Sequence, residues 1–140
     1  MSQVRQQGAS REHEEALRRG LGIPNDAQRI ILFAESSHWD PDWVYTSDEY
    51  YRRFVQSNLD LALEELDRDS RRVYSVECMF FLRMYWDRQP QQRDRVRTFV
   101  NDGRLRLTSS GVTTADTLLP STEAILRDFL IGQEWLRVNG

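Results

Sequence analysis

The chain has 140 residues, of which 39% are hydrophobic and 29% charged, and its formal net charge is −3 at pH 7. This length and composition are typical of a single globular domain and exclude a collagen-like or largely disordered chain. No apolar run approaches the roughly 18 residues that a membrane-spanning helix needs, and the first residues lack a signal-peptide pattern. We therefore expect no membrane partner and a cytoplasmic location.

The basic residues are all arginines, a composition that could indicate binding to phosphate or nucleic acid. However, 22 acidic residues outnumber the 19 basic ones, and the arginine clusters at 52–53, 71–72 and 93–97 have Asp or Glu close by. Because no long surface of one sign forms, we expect mixed-charge faces and no nucleic-acid partner.

The predicted elements begin with a polar N-terminal arm, residues 1–28. It contains a weakly helical stretch at 11–19, and the glycines and proline of 20–24 interrupt its periodicity. Residues 29–34 form a short continuous apolar run, the pattern of a strand that is covered on both faces in a parallel sheet. We expect one partial α/β domain over residues 29–140.

A long helix is predicted over residues 47–67. Thr46 and Glu49 match a capping box, in which a hydroxyl and a carboxylate satisfy free N–H groups at a helix start. Apolar residues then recur at spacings of three and four, so one helix face can pack on the sheet. The residues of this face are Tyr51, Val55, Leu59, Ala62 and Leu66, widened by Phe54 and Leu63.

A second strand is predicted at 73–76, followed by a short helix at 79–86. Pro90 suits the first turn of a further helix, and Gly103 stands where a left-handed C-cap is expected. The glycine is followed by a third strand at 104–108, where polar and apolar residues alternate.

The last predicted elements are a polar loop at 109–120 and a final helix that begins at Ser121. Strands that alternate with helices favour an α/β fold built from parallel βαβ units. A sheet of three strands would leave both edges open, so we expect part of a larger domain.

The segment after the first strand is the first candidate for a functional site, because reactive groups of parallel α/β folds gather where strands end. In an extended chain His38 and Asp40 project to the same side, while Trp39 turns away. Their nitrogen and oxygen atoms could share a zinc ion at about 2.0 to 2.2 Å each, although zinc normally takes three or four protein ligands. An ordinary hydrogen-bonded pair is the alternative.

Three further residues have side chains that could take part in chemistry. Trp43 could offer a flat apolar face to a sugar ring. His13 lies among glutamates and is interpreted as a solvated surface residue. Cys78 has apolar neighbours and is interpreted as a small core residue rather than a nucleophile.

Residues 38–43, directly after an apolar strand, resemble the H-x-D-P-x-W signature that opens the catalytic domain of glycoside hydrolase family 38, the α-mannosidases. The resemblance extends over residues 29–140. Its other blocks are similar in order and spacing to that family and lie at 47–51, 77–86, 103–107 and 132–136.

The resemblance implies the first portion of an α/β-barrel-like glycosidase domain. It also implies a zinc-dependent retaining enzyme that cleaves α-mannoside glycans through a covalent glycosyl-enzyme. His38 and Asp40 would be two of the zinc ligands, Trp43 would lie under the bound sugar, and Asp116 would contribute to substrate binding.

The family's nucleophile belongs to an Asp-Pro-x-Gly-His-Ser-like segment, and the 140 residues contain no such segment. We therefore expect the nucleophile and the general acid beyond Gly140, and an N-terminal fragment that does not hydrolyse mannosides by itself. A second hypothesis is a non-catalytic interaction module that pairs with another chain through its open sheet edge and aromatic helix. A third is phosphate or nucleic-acid binding through arginine.

Overall fold

A computed structural model describes four stretches of the chain, residues 11–31, 35–108, 111–114 and 118–139. The chain divides into two compact units, residues 1–33 and residues 34–140. Within the described stretches, no helix combines the length and the apolar character that crossing a bilayer requires.

The first unit contains helix α1, Arg11–Gly20, which has no buried residue. The C-terminal end of α1 confirms the prediction that the glycines of 20–24 stop this helix. Gly22 has a φ of 66°, and the N–H of Ile23 donates to the carbonyl oxygen of Arg18 at 2.8 Å. This pairing is a Schellman motif, which requires a left-handed residue and so favours glycine.

The second unit contains a sheet that has three parallel strands among the residues described: β1 (Glu35–Ser37), β2 (Tyr74–Val76) and β3 (Leu105–Leu107). β2 lies in the centre and pairs in parallel with both neighbours. This arrangement confirms the predicted α/β class.

The first strand lies later in the chain than predicted. Residues 29–31 form no strand, the side chain of Ile31 is 93% exposed, and residues 32–34 lie outside the described residues. The observed β1 is instead the polar stretch Glu35–Ser37. An apolar run indicates burial, whereas a strand forms where the backbone finds a partner in register, and here the partner is β2.

The predicted long helix is observed in three consecutive parts. Its start is only half of a capping box. The Thr46 hydroxyl accepts a hydrogen bond from the Glu49 N–H at 3.3 Å, but the Glu49 carboxylate accepts from the Arg53 guanidinium at 2.6 Å. The three parts are α2 (Ser47–Tyr50), a π-helical turn (Tyr51–Val55) and α3 (Gln56–Arg68).

Four further helical segments follow in the part of the chain that the structure describes. Gly103 has a φ of 69°, and the N–H of Arg104 donates to the carbonyl oxygen of Phe99 at 2.9 Å, which confirms the predicted left-handed C-cap. The segments are α4 (Met79–Arg88), a 3₁₀ turn (Pro90–Gln92), α5 (Arg93–Asn101) and α6 (Thr122–Asn139).

The buried core joins the π-helical turn, α3, α4 and α5 to β2 and β3. The predicted apolar face of the long helix is buried except for Phe54, which is 41% exposed. Helix α6 differs, because Gly132 is its one buried residue among those described. Its Trp135 packs edge-to-face on Trp86 at a ring-centroid distance of 5.3 Å.

Candidate functional site

An open cleft of about 490 Å³ lies at the carboxyl ends of the three strands. Parallel strands end at the same edge of a sheet, so the residues that follow them come together there. The cleft is lined by polar side chains from all three strand ends: Ser36, Ser37, His38, Ser75, Glu77 and Thr108.

The structure brings His38 and Asp40 together. The Nε2 atom of His38 lies 3.3 Å from Oδ1 of Asp40, and the two side chains are 63% and 55% exposed. A ligand in solution can therefore reach both donor atoms.

Trp39, between these two residues, points into the protein. It is 6% exposed, and its ring meets Phe81 edge-to-face at a centroid distance of 5.9 Å. Alternation along the extended chain places the tryptophan opposite its polar neighbours. Its burial anchors the segment that carries them.

Glu77 is the functional candidate that sequence reasoning missed. Its Oε2 atom forms a hydrogen bond with Nδ1 of His38. The residue directly follows β2, as His38 directly follows β1. The rule that selected His38, a titratable residue in the segment after a parallel strand, would have selected Glu77 too, because Glu77 directly follows the predicted strand at 73–76.

The two carboxylates control the charge of the imidazole. The hydrogen bond to Glu77, the negative charge of Glu77 and the negative charge of Asp40 together raise the pKa of His38 above its ordinary value of 6.5. When the imidazole is protonated, each of its N–H groups faces a carboxylate. A metal ion on Nε2 would take the place of one of these protons.

The chain turns sharply after Asp40. Asp42 has a φ of 58°, and its carboxylate accepts a hydrogen bond from the N–H of Ser47 at 2.7 Å. Trp43, in the same turn, is 81% exposed, so its ring is available to a ligand.

Two predictions concern parts of the chain that the structure does not describe. Asp116, the other residue predicted to bind substrate, lies outside the described residues. Gly140, beyond which the nucleophile and the general acid are expected, also lies outside them, since the last described stretch ends at Asn139. The role of Asp116 and the position of the two catalytic groups therefore stay predictions.

The pair of His38 and Asp40 fits zinc in its donor types and its spacing. Two ligands at about 2.0 to 2.2 Å from a tetrahedral zinc ion lie about 3.3 to 3.6 Å apart, and the observed separation of Nε2 and Oδ1 is 3.3 Å. Within the stretches that the structure describes, no group of three or more His, Cys, Asp or Glu residues is arranged to hold a metal ion. A complete zinc site therefore needs further ligands from elsewhere.

Of the other two candidates, Cys78 belongs to the same unit as this cleft but does not line it. Cys78 is 4% exposed, and burial raises the pKa of its thiol. A buried neutral thiol is a poor nucleophile, which supports its interpretation as a core residue. His13 lies on the exposed surface of α1, in the first unit.

A parallel α/β fold with charged side chains at the carboxyl ends of its strands is typical of proteins that bind a ligand at that edge. Residues 29–140 match the family described as "Glycosyl hydrolases family 38 N-terminal domain". The chain therefore belongs to glycoside hydrolase family 38, as the motif around His38 indicated.

Known relatives in this family are named as mannosidases. "Alpha-mannosidase 2" of Arabidopsis thaliana is 34% identical over 107 residues, which are 76% of this chain and 9% of that protein. "Alpha-mannosidase 2x" of Mus musculus is 31% identical over 129 residues, 87% of this chain and 11% of that protein. "Alpha-mannosidase 2" of Homo sapiens is 30% identical over 113 residues, 78% of this chain and 10% of that protein. The chain spans about a tenth of the length of these relatives.

A solved structure shares the fold. "The crystal structure of an alpha-mannosidase from Enterococcus faecalis V583" superposes with a TM-score of 0.69 at 24% sequence identity. The match covers 76% of this chain and 12% of that one. At this identity the likeness shows the fold alone.

Proposed function

We propose that this chain contributes the first part of the active site of a zinc-dependent, retaining α-mannosidase whose substrate is an α-mannoside glycan. Family membership and the names of the relatives support the glycosidase class. The observation that carries the proposal is the 3.3 Å pairing of His38 Nε2 with Asp40 Oδ1 at the edge of the sheet where ligands bind.

In this proposal His38 and Asp40 hold two coordination positions of zinc. The ion would supply Lewis-acid contacts to sugar hydroxyl groups and help to distort the ring. The buried ring of Trp39 fixes the segment between the two ligands. Trp43 offers its exposed face to the apolar side of the sugar, a contact that suits the flat surface of an aromatic ring.

The proposal assigns no catalytic carboxylate to these residues. A retaining glycosidase needs a nucleophile and an acid whose carboxyl groups are about 5 to 5.5 Å apart. The two carboxylates beside His38, those of Asp40 and Glu77, both interact with its imidazole instead. We therefore propose that the 140 residues do not hydrolyse α-mannosides alone. By the family resemblance, we also propose that Asp116 contributes to substrate binding.

Zinc titration of the purified chain tests the half-site. We expect His38→Ala and Asp40→Ala each to weaken zinc binding, because each removes one donor. The matched control is His13→Ala, which removes the only other histidine of the chain and should leave the affinity unchanged. Equal zinc affinity in His38→Ala and the unaltered chain would contradict the proposal.

A chromogenic α-mannoside tests the proposal that the chain alone is inactive. We expect no release of the chromophore above the rate without protein, with zinc present in excess. Release that disappears in Asp40→Ala would show that the chain is catalytic by itself and would overturn its proposed inactivity.

The interaction-module hypothesis named the open sheet edge and the aromatic helix as the pairing surface. Phe81, Tyr85 and Trp86 of that helix are buried, and the observation that favours a module is the set of exposed apolar side chains on α6. Leu126, Leu130 and Ile131 are each more than half exposed on this helix. Sedimentation at several concentrations separates the two functions. Strong self-association would favour the module, and a monomer at every concentration would count against it.

A further inference from the structure

The carboxylate of Glu77 has a place in the site that the proposed zinc ligands do not explain. β1 and β2 pair in parallel with Ser37 opposite Val76. The next residue on each strand, His38 and Glu77, therefore leaves the sheet at the same level, and their side chains meet through Nδ1 and Oε2. The sheet register itself makes this contact.

Packing does not fix the orientation of the His38 ring, because its side chain is 63% exposed. The backbone around Glu77 is better anchored, since Val76 and Met79 are fully buried and Cys78 is 4% exposed. The hydrogen bond therefore joins an exposed side chain to a well-packed part of the core. This makes Glu77 the restraint and His38 the group that is restrained.

We propose that Glu77 is a positioning residue that holds the imidazole of His38 with Nε2 turned toward Asp40 and so presents both donors to zinc. Ionised Glu77 and Asp40 both only accept hydrogen bonds, but Glu77 makes the closer contact with the ring, so the proton of the neutral imidazole is favoured on Nδ1. The lone pair then lies on Nε2, the atom 3.3 Å from Asp40 Oδ1. Carboxylates that bind the far nitrogen of a zinc-ligating histidine orient the ring and raise its basicity in this way.

This inference rests on the proposed zinc site, and its test has one readout that needs no metal. In a His13→Gln background, ¹⁵N NMR of the metal-free chain at high pH reports which nitrogen of His38 is protonated. We expect the Nδ1–H form in the parent chain. The amide of Glu77→Gln can either accept from Nδ1–H or donate to Nδ1, so this variant should show more of the Nε2–H form. In Glu77→Ala we expect both forms.

The second readout is zinc affinity in the same variants. We expect Glu77→Ala to bind zinc about 10- to 100-fold more weakly, the usual effect of losing such a partner. Glu77→Gln should recover part of the loss because it keeps the hydrogen bond but not the charge. Glu64→Ala, the same change at an exposed position of α3, is the control and should bind as the parent does.

The outcomes separate this inference from the zinc site. If His38→Ala weakens zinc binding but Glu77→Ala changes neither the affinity nor the protonated nitrogen, the role of Glu77 is overturned and the zinc site stands. If His38→Ala binds zinc as the parent does, the zinc site is overturned and the inference fails with it. Amide NMR spectra of each variant check that the fold is retained.

Discussion

His38 and Glu77 are separated by 39 residues in sequence, and their side chains share a hydrogen bond at the ends of β1 and β2. With Asp40 on its other nitrogen, the imidazole lies between two carboxylates. The two carboxylates favour the protonated ring, and the contact with Glu77 turns Nε2 toward Asp40.

The titration of His38 should reflect its two acidic neighbours. Its pKa is raised, chiefly through Glu77, so we expect an NMR midpoint above 6.5 in the metal-free chain. A raised pKa stabilises the fold below 6.5, and this contribution is lost as pH rises through the midpoint. Glu77→Gln should lower the midpoint because it removes a negative charge, while Glu64→Gln should not change it. An unchanged midpoint in Glu77→Gln would contradict the contact.

Two tryptophans of one motif should differ in their effect on stability. Trp39 is 6% exposed and Trp43 is 81% exposed. We expect Trp39→Ala to lower the free energy of unfolding by about 3 to 5 kcal/mol, since it empties part of the core. Trp43→Ala should change it by less than about 0.5 kcal/mol. Urea unfolding measures both, and similar losses would show that Trp43 is packed.

Gly111 should be intolerant of a side chain because Asp128 occupies the space beside it. A Cβ atom at Gly111 would overlap Oδ2 of Asp128 and lie 3.2 Å from the carbonyl oxygen of Thr113. Asp128 cannot move without loss, since it accepts hydrogen bonds from the Thr113 N–H at 3.1 Å and from its hydroxyl at 3.0 Å. We expect Gly111→Ala to destabilise the fold by about 1 to 3 kcal/mol.

The control for this change is the same substitution in an Asp128→Ala background. There the penalty should be smaller, because the overlapping carboxylate is gone. An equal penalty in both backgrounds, measured by urea unfolding, would place the strain elsewhere.

Tyr85 should stabilise the fold through its hydroxyl. This residue is fully buried, and its hydroxyl donates to Oδ1 of Asp60 at 2.5 Å. We expect Tyr85→Phe to cost about 1.5 to 3 kcal/mol, the usual range for a hydrogen bond to a charged group. A double-mutant cycle with Asp60→Ala measures the coupling, and two independent losses that simply add would contradict the bond.

The same residue gives a prediction at high pH. Burial, and then the hydrogen bond to Asp60, raise the pKa of the Tyr85 phenol. The unfolded chain loses this proton near the ordinary value of 10, so stability should fall as pH rises above that value. Tyr85→Phe should fall less steeply over the same range, as thermal unfolding at pH 9 to 11 would show.

The helices were predictable because the spacing of apolar residues reports which face is buried. The face from Tyr51 to Leu66 and the cap at Gly103 are both confirmed. The first strand was misplaced because hydrophobicity at 29–34 says nothing about backbone pairing, which involves residues 35–37. The π-helical turn at Tyr51–Val55 has no distinct signal in the sequence, because its buried residues, Tyr51 and Val55, are four apart, a spacing that an α-helix also uses.

The sequence by itself determined the types of the elements, the family and the candidate pair His38 and Asp40, because all of these depend on residues that are close together in the chain. Only the tertiary structure decided that residues 35–37 form the first strand and which carboxylate reaches the far side of the imidazole. The physical reason is that Glu77 meets His38 through the register of two parallel strands. That pairing joins distant segments, and no local pattern of residues encodes it.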